Sequence, residues 1–273
     1  MRPPLLDIVR QGRPLHKELV IDAHVHIGPC ATYYIPYNTP AEMVEEMERI
    51  GIRLAWVFPF MLASDYRMAN DDVLRAIRSY PDRFWGLCSI NPHFRDEMLG
   101  ELERCLEGGC IGVKFHPDMH RFDPDTTDLD PVLSYLNRYG LLCHSHYFGS
   151  VDTMQRLVRT YPRITFVASH FSVQYAPVVK ECDNLFICAC TAWGMKSLEL
   201  FVRSVGSQRV LLGSDFPCLD IATALGPVLF AELTDEEKRQ ILGINAMMIM
   251  DRVNTNYRRW KQERRANGEL AGR

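Results

Sequence analysis

Eight short apolar runs recur along the chain, at 19–27, 54–60, 84–90, 111–116, 141–147, 164–169, 185–190 and 210–214, each followed by a stretch with helix signals. Most are continuously apolar rather than alternating, the pattern of parallel strands covered by helices. The helix starts are marked chemically. Thr39-Pro40 places an N-cap and a first-position proline before 41–50, and Asn70-Asp71-Asp72 opens 73–79, which Pro81 stops. Ser150 to Asp152 leads 154–161, and Thr234 with Glu237 forms a capping box ahead of an apolar run to Met250. Eight such units with no Gly/Ser/Pro linker predict a single-domain α/β fold, a (β/α)8 barrel over 1–273. Residues 1–17 read as an N-terminal extension and 253–273 as a basic C-terminal tail, a solvated helix end or frayed segment. A doubly wound open sheet competes, but no Gly-rich phosphate fingerprint accompanies it.

Composition removes several function classes. A formal net charge of −3 gives no electrostatic reason to expect nucleic acid or an anionic membrane as partner. No run approaches the roughly 18 apolar residues of a membrane span. The N-terminus shows neither a long apolar segment nor a small-residue cleavage site, so a cytoplasmic location is expected. The nine cysteines include no Cys-x-x-Cys pair. Cys88, Cys143, Cys188 and Cys190 lie in apolar runs and read as buried, reduced packing residues.

In such a barrel, catalytic groups gather at the C-terminal ends of the strands, and here those ends are rich in ligands. The first run holds His24 and His26, which project from one strand face because they are two residues apart. The fourth ends Lys114-Phe-His116, the fifth His144-Ser-His146, the sixth at His170 and the eighth at Ser-Asp215. Imidazole and carboxylate donors suit zinc, manganese, cobalt or iron in the divalent state. Such an ion lowers the pKa of bound water to about 7.

The sequence resembles the amidohydrolase superfamily, within it the amidohydrolase-related (amidohydrolase 2) branch of metal-dependent TIM-barrel hydrolases. The resemblance covers nearly the whole chain. It rests on Asp-Ala-His24-Val-His26, Gly-Val-Lys114-Phe-His116-Pro, His144, Ala-Ser-His170, Leu-Gly-Ser-Asp215-Phe-Pro and Ile-Leu-Gly-Ile-Asn245-Ala. It implies one divalent metal, zinc first with manganese, cobalt or iron as alternatives, on His24, His26, His144 and Asp215. His170 would orient or deprotonate the metal-bound water, and Asp215 would also shuttle a proton, making these two the catalytic pair. The family commonly continues the fifth run as His-Thr-Gly or His-x-Gly. His146 departs from that, and its direction, into the site or outward, stays open.

Lys114 and His116 are expected to contact substrate or support the ligands, in preference to a carboxylated lysine bridging two metals. Arg121 joins Lys114 as a candidate anion contact, and Trp193 as a candidate pocket wall. The aromatic loop from Gly28 to Tyr37 and the stretch 120–122 are candidate covers. His93 is balanced between pocket and surface, while His16 and His120 are expected to be exposed.

The implied activity is hydrolysis of a C–N or C–O bond in a small molecule by a metal-bound hydroxide. The alternative is a metal-dependent non-oxidative decarboxylase, or a hydratase, of a small aromatic or dicarboxylic acid. Aromatic walls with one or two cations suit a carboxylated or aromatic substrate. A non-catalytic binding barrel would show a broken ligand set, and no expected ligand is missing. Whether the barrel forms a homo-oligomer is open.

Overall fold

The computed structural model describes residues 4–30, 33–60 and 65–270. Among these, the eight apolar runs form nine strand segments: β1 (Ile21–Ile27), β2 (Leu54–Pro59), β3 (Phe84–Gly86), β4 (Cys88–Ser89), β5 (Gly112–Phe115), β6 (Leu142–Ser145), β7 (Thr165–Ala168), β8 (Leu185–Cys188) and β9 (Val210–Leu211). All pairs are parallel, in the orders β1-β2-β3 and β4-β5-β6-β7-β8-β9. The third run is split at Leu87, whose N–H still donates to the Val57 carbonyl at 2.9 Å, while Ile111 N–H donates to Gly86 at 3.0 Å. The other seam closes in the same way. Ala23 N–H donates to Leu212 at 2.9 Å, His26 N–H to Phe216 at 2.7 Å and Asp215 N–H to His24 at 2.9 Å. The result is the (β/α)8 barrel expected from the alternation, with β1 beside the chain that follows β9.

Continuous burial explains the continuous apolarity: every residue of β1, β5, β6, β7 and β8 is buried. The caps largely fall where the sequence places them. Thr39 and Glu42 form a reciprocal capping box at the start of the helix Pro40–Ile50, so Thr39→Ala should lower stability by about 1 kcal/mol. A reduced urea midpoint with an unchanged slope is the expected reading.

Two local expectations need correction. The helix expected at 73–79 begins earlier, at Tyr66, with Asp65 accepting from Met68 N–H. Asn70 does not cap it. Its buried amide donates to the Ser89 carbonyl at 2.9 Å and to Glu101 Oε1 at 2.7 Å, a tertiary demand that local propensity does not reveal. Of the two forms expected for the basic tail, the structure shows helix as far as Ala266. After a π-helical turn at Gln240–Ile244, the helix Asn245–Ala266 buries Val253, Tyr257 and Trp260, a stripe at helical spacing beneath the basic residues. Trp260 Nε1 donates to Tyr135 Oη at 2.9 Å. No described helix is long and apolar enough to cross a membrane.

Candidate metal centre

His24 and His26 share the inner face of β1 and meet Asp215 across the barrel seam. Asp215 Oδ1 lies 3.0 Å from His24 Nε2 and 3.2 Å from His26 Nε2, and the two nitrogens are 3.3 Å apart. Three lone-pair atoms this close repel unless protons or a cation lie among them. First-row ions with bonds of about 2.0–2.2 Å need donors separated by about 3.0–3.4 Å, so this triangle fits a divalent metal. Donor atoms of His24, His170 and Asp215 also lie within 4.8 Å of one another. These two groupings share His24 and Asp215, while on the other side of His24 the donor atoms of His24, Cys188 and Cys190 also lie within 4.8 Å of one another.

The backbone aims these side chains. His170, Phe171, Thr191 and Asp215 all adopt positive φ, between 50° and 67°, just past β7, β8 and β9. Such turns cost about 1–2 kcal/mol each in non-glycine residues and cluster where function over-determines the chain. Asp22, fully interior, fixes β1 to the eighth strand end by accepting from His24 N–H at 3.1 Å and from Ser214 N–H at 3.0 Å. Its burial pushes the carboxyl up to about 7.

His144, expected to be a fourth ligand, sits beside His24 with ring centroids 5.2 Å apart. Its Nε2 lies 2.8 Å from Ser169 Oγ, which accepts from Lys114 Nζ at 2.9 Å. Its Nδ1 is buried with no hydrogen-bond partner among the described residues, the condition of a nitrogen kept for a ligand. Burial, then the Lys114 charge, holds both His24 and His144 well below the usual imidazole value, in the neutral form that binds metals. Burial alone would raise the Asp215 carboxyl, but the His24 and His26 rings beside it outweigh burial and hold it below the usual carboxylate range.

Above this centre lies a cavity of about 400 Å³, lined by His26, Phe60, His116, His146, His170, Trp193 and Asp215, with Tyr33 and Tyr34 at its mouth. His146 therefore turns inward. Its ring packs between His116 and His170, with both centroids 4.0 Å away. Burial pushes His146 down to about 3 and His170 to about 4, so both are neutral near pH 7. A larger neighbouring cavity of about 550 Å³ carries Glu42, Glu45, Glu46 and Asp220 against one cation, Arg49, and includes none of the candidate ligands.

His116 and Trp193 line the cavity as expected, but the two candidate anion contacts do not. Lys114 is wholly buried, with Nζ directed to Ser169 and 4.5 Å from the Phe58 ring centroid. Arg121 is exposed at the left-handed C-cap of the short helix Pro117–His120. His93 is tied outside the cavity, Nε2 donating to the His120 carbonyl at 2.8 Å. His120, expected to be exposed, is buried at the end of that helix, whereas His16 is exposed. Of the aromatic loop, Ala31 and Thr32 fall outside the described residues, Tyr33 and Tyr34 reach this cavity, and Tyr37 faces its neighbour. Phe122 of the 120–122 stretch packs on Phe115 instead.

Cys190, a packing residue by its apolar surroundings, also places Sγ 3.4 Å from His24 Nδ1 and accepts from the His170 backbone N–H at 3.0 Å. Its spacing of two from Cys188 was the available signal, but apolar surroundings suggested an inert thiol.

Residues 21–249 match the model of the family described as Amidohydrolase. No curated protein sequence matches the chain. Among solved structures, an uncharacterised TIM-barrel protein from Bordetella bronchiseptica is similar at 18% identity and a TM-score of 0.71, over 86% of this chain and 99% of that one. The 5-carboxyvanillate decarboxylase of Sphingomonas paucimobilis is similar at 15% identity and 0.70, over 85% and 98%. The 5-carboxyvanillate decarboxylase of Novosphingobium aromaticivorans, in complex with manganese and 4-hydroxy-3-methoxy-5-nitrobenzoic acid, is similar at 14% and 0.72, over 87% and 97%. At these identities the likeness establishes the barrel fold.

Proposed function

The chain belongs to the amidohydrolase family, and on that premise we propose that it is a metal-dependent decarboxylase of a small carboxylated aromatic acid. The observation that carries this reading is the cavity: rings of Phe60, Trp193, Tyr33 and Tyr34 stand over His26 and Asp215, with neutral imidazoles between them. That lining suits a flat aromatic ring with an acid group turned inward. The decarboxylases of similar fold, one of them holding manganese, support the same substrate class.

We assign His24, His26 and Asp215 as ligands of one divalent ion, with His144 Nδ1 as the fourth donor. Manganese and zinc both suit this donor set. A bound ion supplies Lewis acidity toward the substrate's oxygens. His116 and His146 offer ring N–H groups to the acid, a role earlier given to Lys114 and Arg121. The rings orient the substrate plane and keep water off the face being protonated. Loss of CO2 from the aromatic carbon must be balanced by one proton delivered to that carbon, and Asp215 and His170, both lining the cavity, are the groups placed to carry it. Ser169, bonded to His144 Nε2, holds that ring in place.

His146→Ala removes the middle ring of the histidine stack. It should raise KM for an aromatic acid about tenfold, an interaction worth about 1.4 kcal/mol, with metal content unchanged. The direct test incubates metal-loaded protein with hydroxylated aromatic acids, 5-carboxyvanillate among them. Release of CO2 together with the arene that carries hydrogen in place of the lost carboxylate supports the proposal. Cleavage of amide or ester substrates without CO2 release would replace it with the hydrolase reading.

A further inference from the structure

His26 and His24 are supported differently behind the metal centre. The far nitrogen of His26, Nδ1, lies 3.3 Å from the backbone carbonyl of Pro59. An imidazole that binds metal through one nitrogen usually donates its other N–H to such an oxygen, which fixes tautomer and ring angle. The far nitrogen of His24 faces a sulfur instead: Cys190 Sγ, 3.4 Å from Nδ1. That thiol is wholly buried and also accepts from the backbone N–H of His170, at the left-handed turn that aims the His170 ring. One sulfur thus touches a proposed ligand and the turn carrying a proposed proton carrier. Gly213 packs directly against Cys188 and His24, where an added Cβ would fall 2.2 Å from Cys188 Sγ and 2.8 Å from His24 Cβ, so only glycine fits beside this ring.

We propose that Cys190 is a positioning residue of the metal centre: its sulfur accepts from His24 Nδ1–H, leaves the Nε2 lone pair for the ion, and ties that ring to the turn at His170. The inference rests on the assignment of His24 as a metal ligand. A carbonyl or carboxylate in this place is fixed by the fold or by its charge, whereas a thiol is a weaker acceptor, so the bond to His24 depends on the sulfur being held at 3.4 Å from Nδ1.

The test measures the dissociation constant for zinc or manganese by competition with a chromophoric chelator. It compares wild type, Cys190→Ala, Cys190→Ser and, as a control for losing a remote buried thiol, Cys110→Ala. Thermal melting of the metal-free proteins is read in parallel. Loss of the acceptor should weaken metal binding about tenfold or more in Cys190→Ala. Cys190→Ser, which keeps an acceptor, should fall between Ala and wild type, and Cys110→Ala should stay within twofold of wild type. Unchanged metal affinity in Cys190→Ala would overturn the inference, whatever happens to melting. So would serine as weak as alanine, because the site would then need the volume of sulfur and not its hydrogen bond. If the wild type itself takes up no divalent ion, the ligand assignment fails first and the role of Cys190 falls with it.

Discussion

Asp215→Asn should lower turnover about a thousandfold while leaving the barrel folded. Asn and Asp differ by one heavy atom type, and both tolerate the left-handed backbone that Asp215 adopts at φ 65°. The carboxylate is lost from the point where Oδ1 meets the Nε2 atoms of His24 and His26 at 3.0 and 3.2 Å. An amide oxygen there can still face an ion, but it carries no formal charge and cannot take up and return a proton at neutral pH. Positioned acid–base groups contribute about 10²–10⁴-fold, and a thousandfold loss corresponds to about 4 kcal/mol of transition-state stabilisation. Steady-state kinetics should place the loss in kcat, with circular dichroism and melting close to wild type. A variant that keeps full turnover would remove Asp215 from the chemistry.

Lys114→Met should make the protein more stable and less active. The Lys114 ammonium is wholly buried, and burial lowers it from 10.5 to about 8. The folded state therefore holds the proton less tightly than the unfolded chain. The penalty is fully present below about pH 8, fades as pH rises, and is gone above about 10.5. A displacement of that size corresponds to roughly 3 kcal/mol. Methionine keeps most of the volume over Phe58 but forfeits the bond to Ser169, worth about 1 kcal/mol. The net gain at pH 7 should be about 2 kcal/mol, and the wild type should close the gap between pH 8 and 10.5. Denaturant midpoints for both proteins across that range measure it. Turnover should fall about tenfold, since Lys114 holds Ser169 against His144. Stability traded for a working site is a common bargain in enzymes.

The barrel and the site were legible to different depths. Strand positions followed from apolar runs, because parallel strands buried on both faces need nothing else. His24, His26 and Asp215 could be placed at strand ends because a spacing of two fixes a common face. Spacing says nothing, however, about where a chain turns after its strand. Lys114 and Arg121 were natural anion contacts on paper, yet one is directed into the interior toward Ser169 and the other sits exposed on a left-handed cap. The direction of His146 is open in the sequence, and its place between the His116 and His170 rings comes from where those strand ends meet. Asn70 is buried by contacts with Ser89 and Glu101, distant in sequence, and no local pattern encodes those. Cys190 looked inert because an apolar neighbourhood is equally what a packing thiol and the back of a metal ligand require.

The central claim, one divalent ion held by β1 and the eighth strand end, is tested most directly by metal analysis of protein purified without a histidine tag. Wild type should carry close to one divalent ion per chain, or take it up on dialysis, and His24→Ala should lose it while remaining folded. A wild-type chain that neither contains nor takes up a divalent ion would contradict the account.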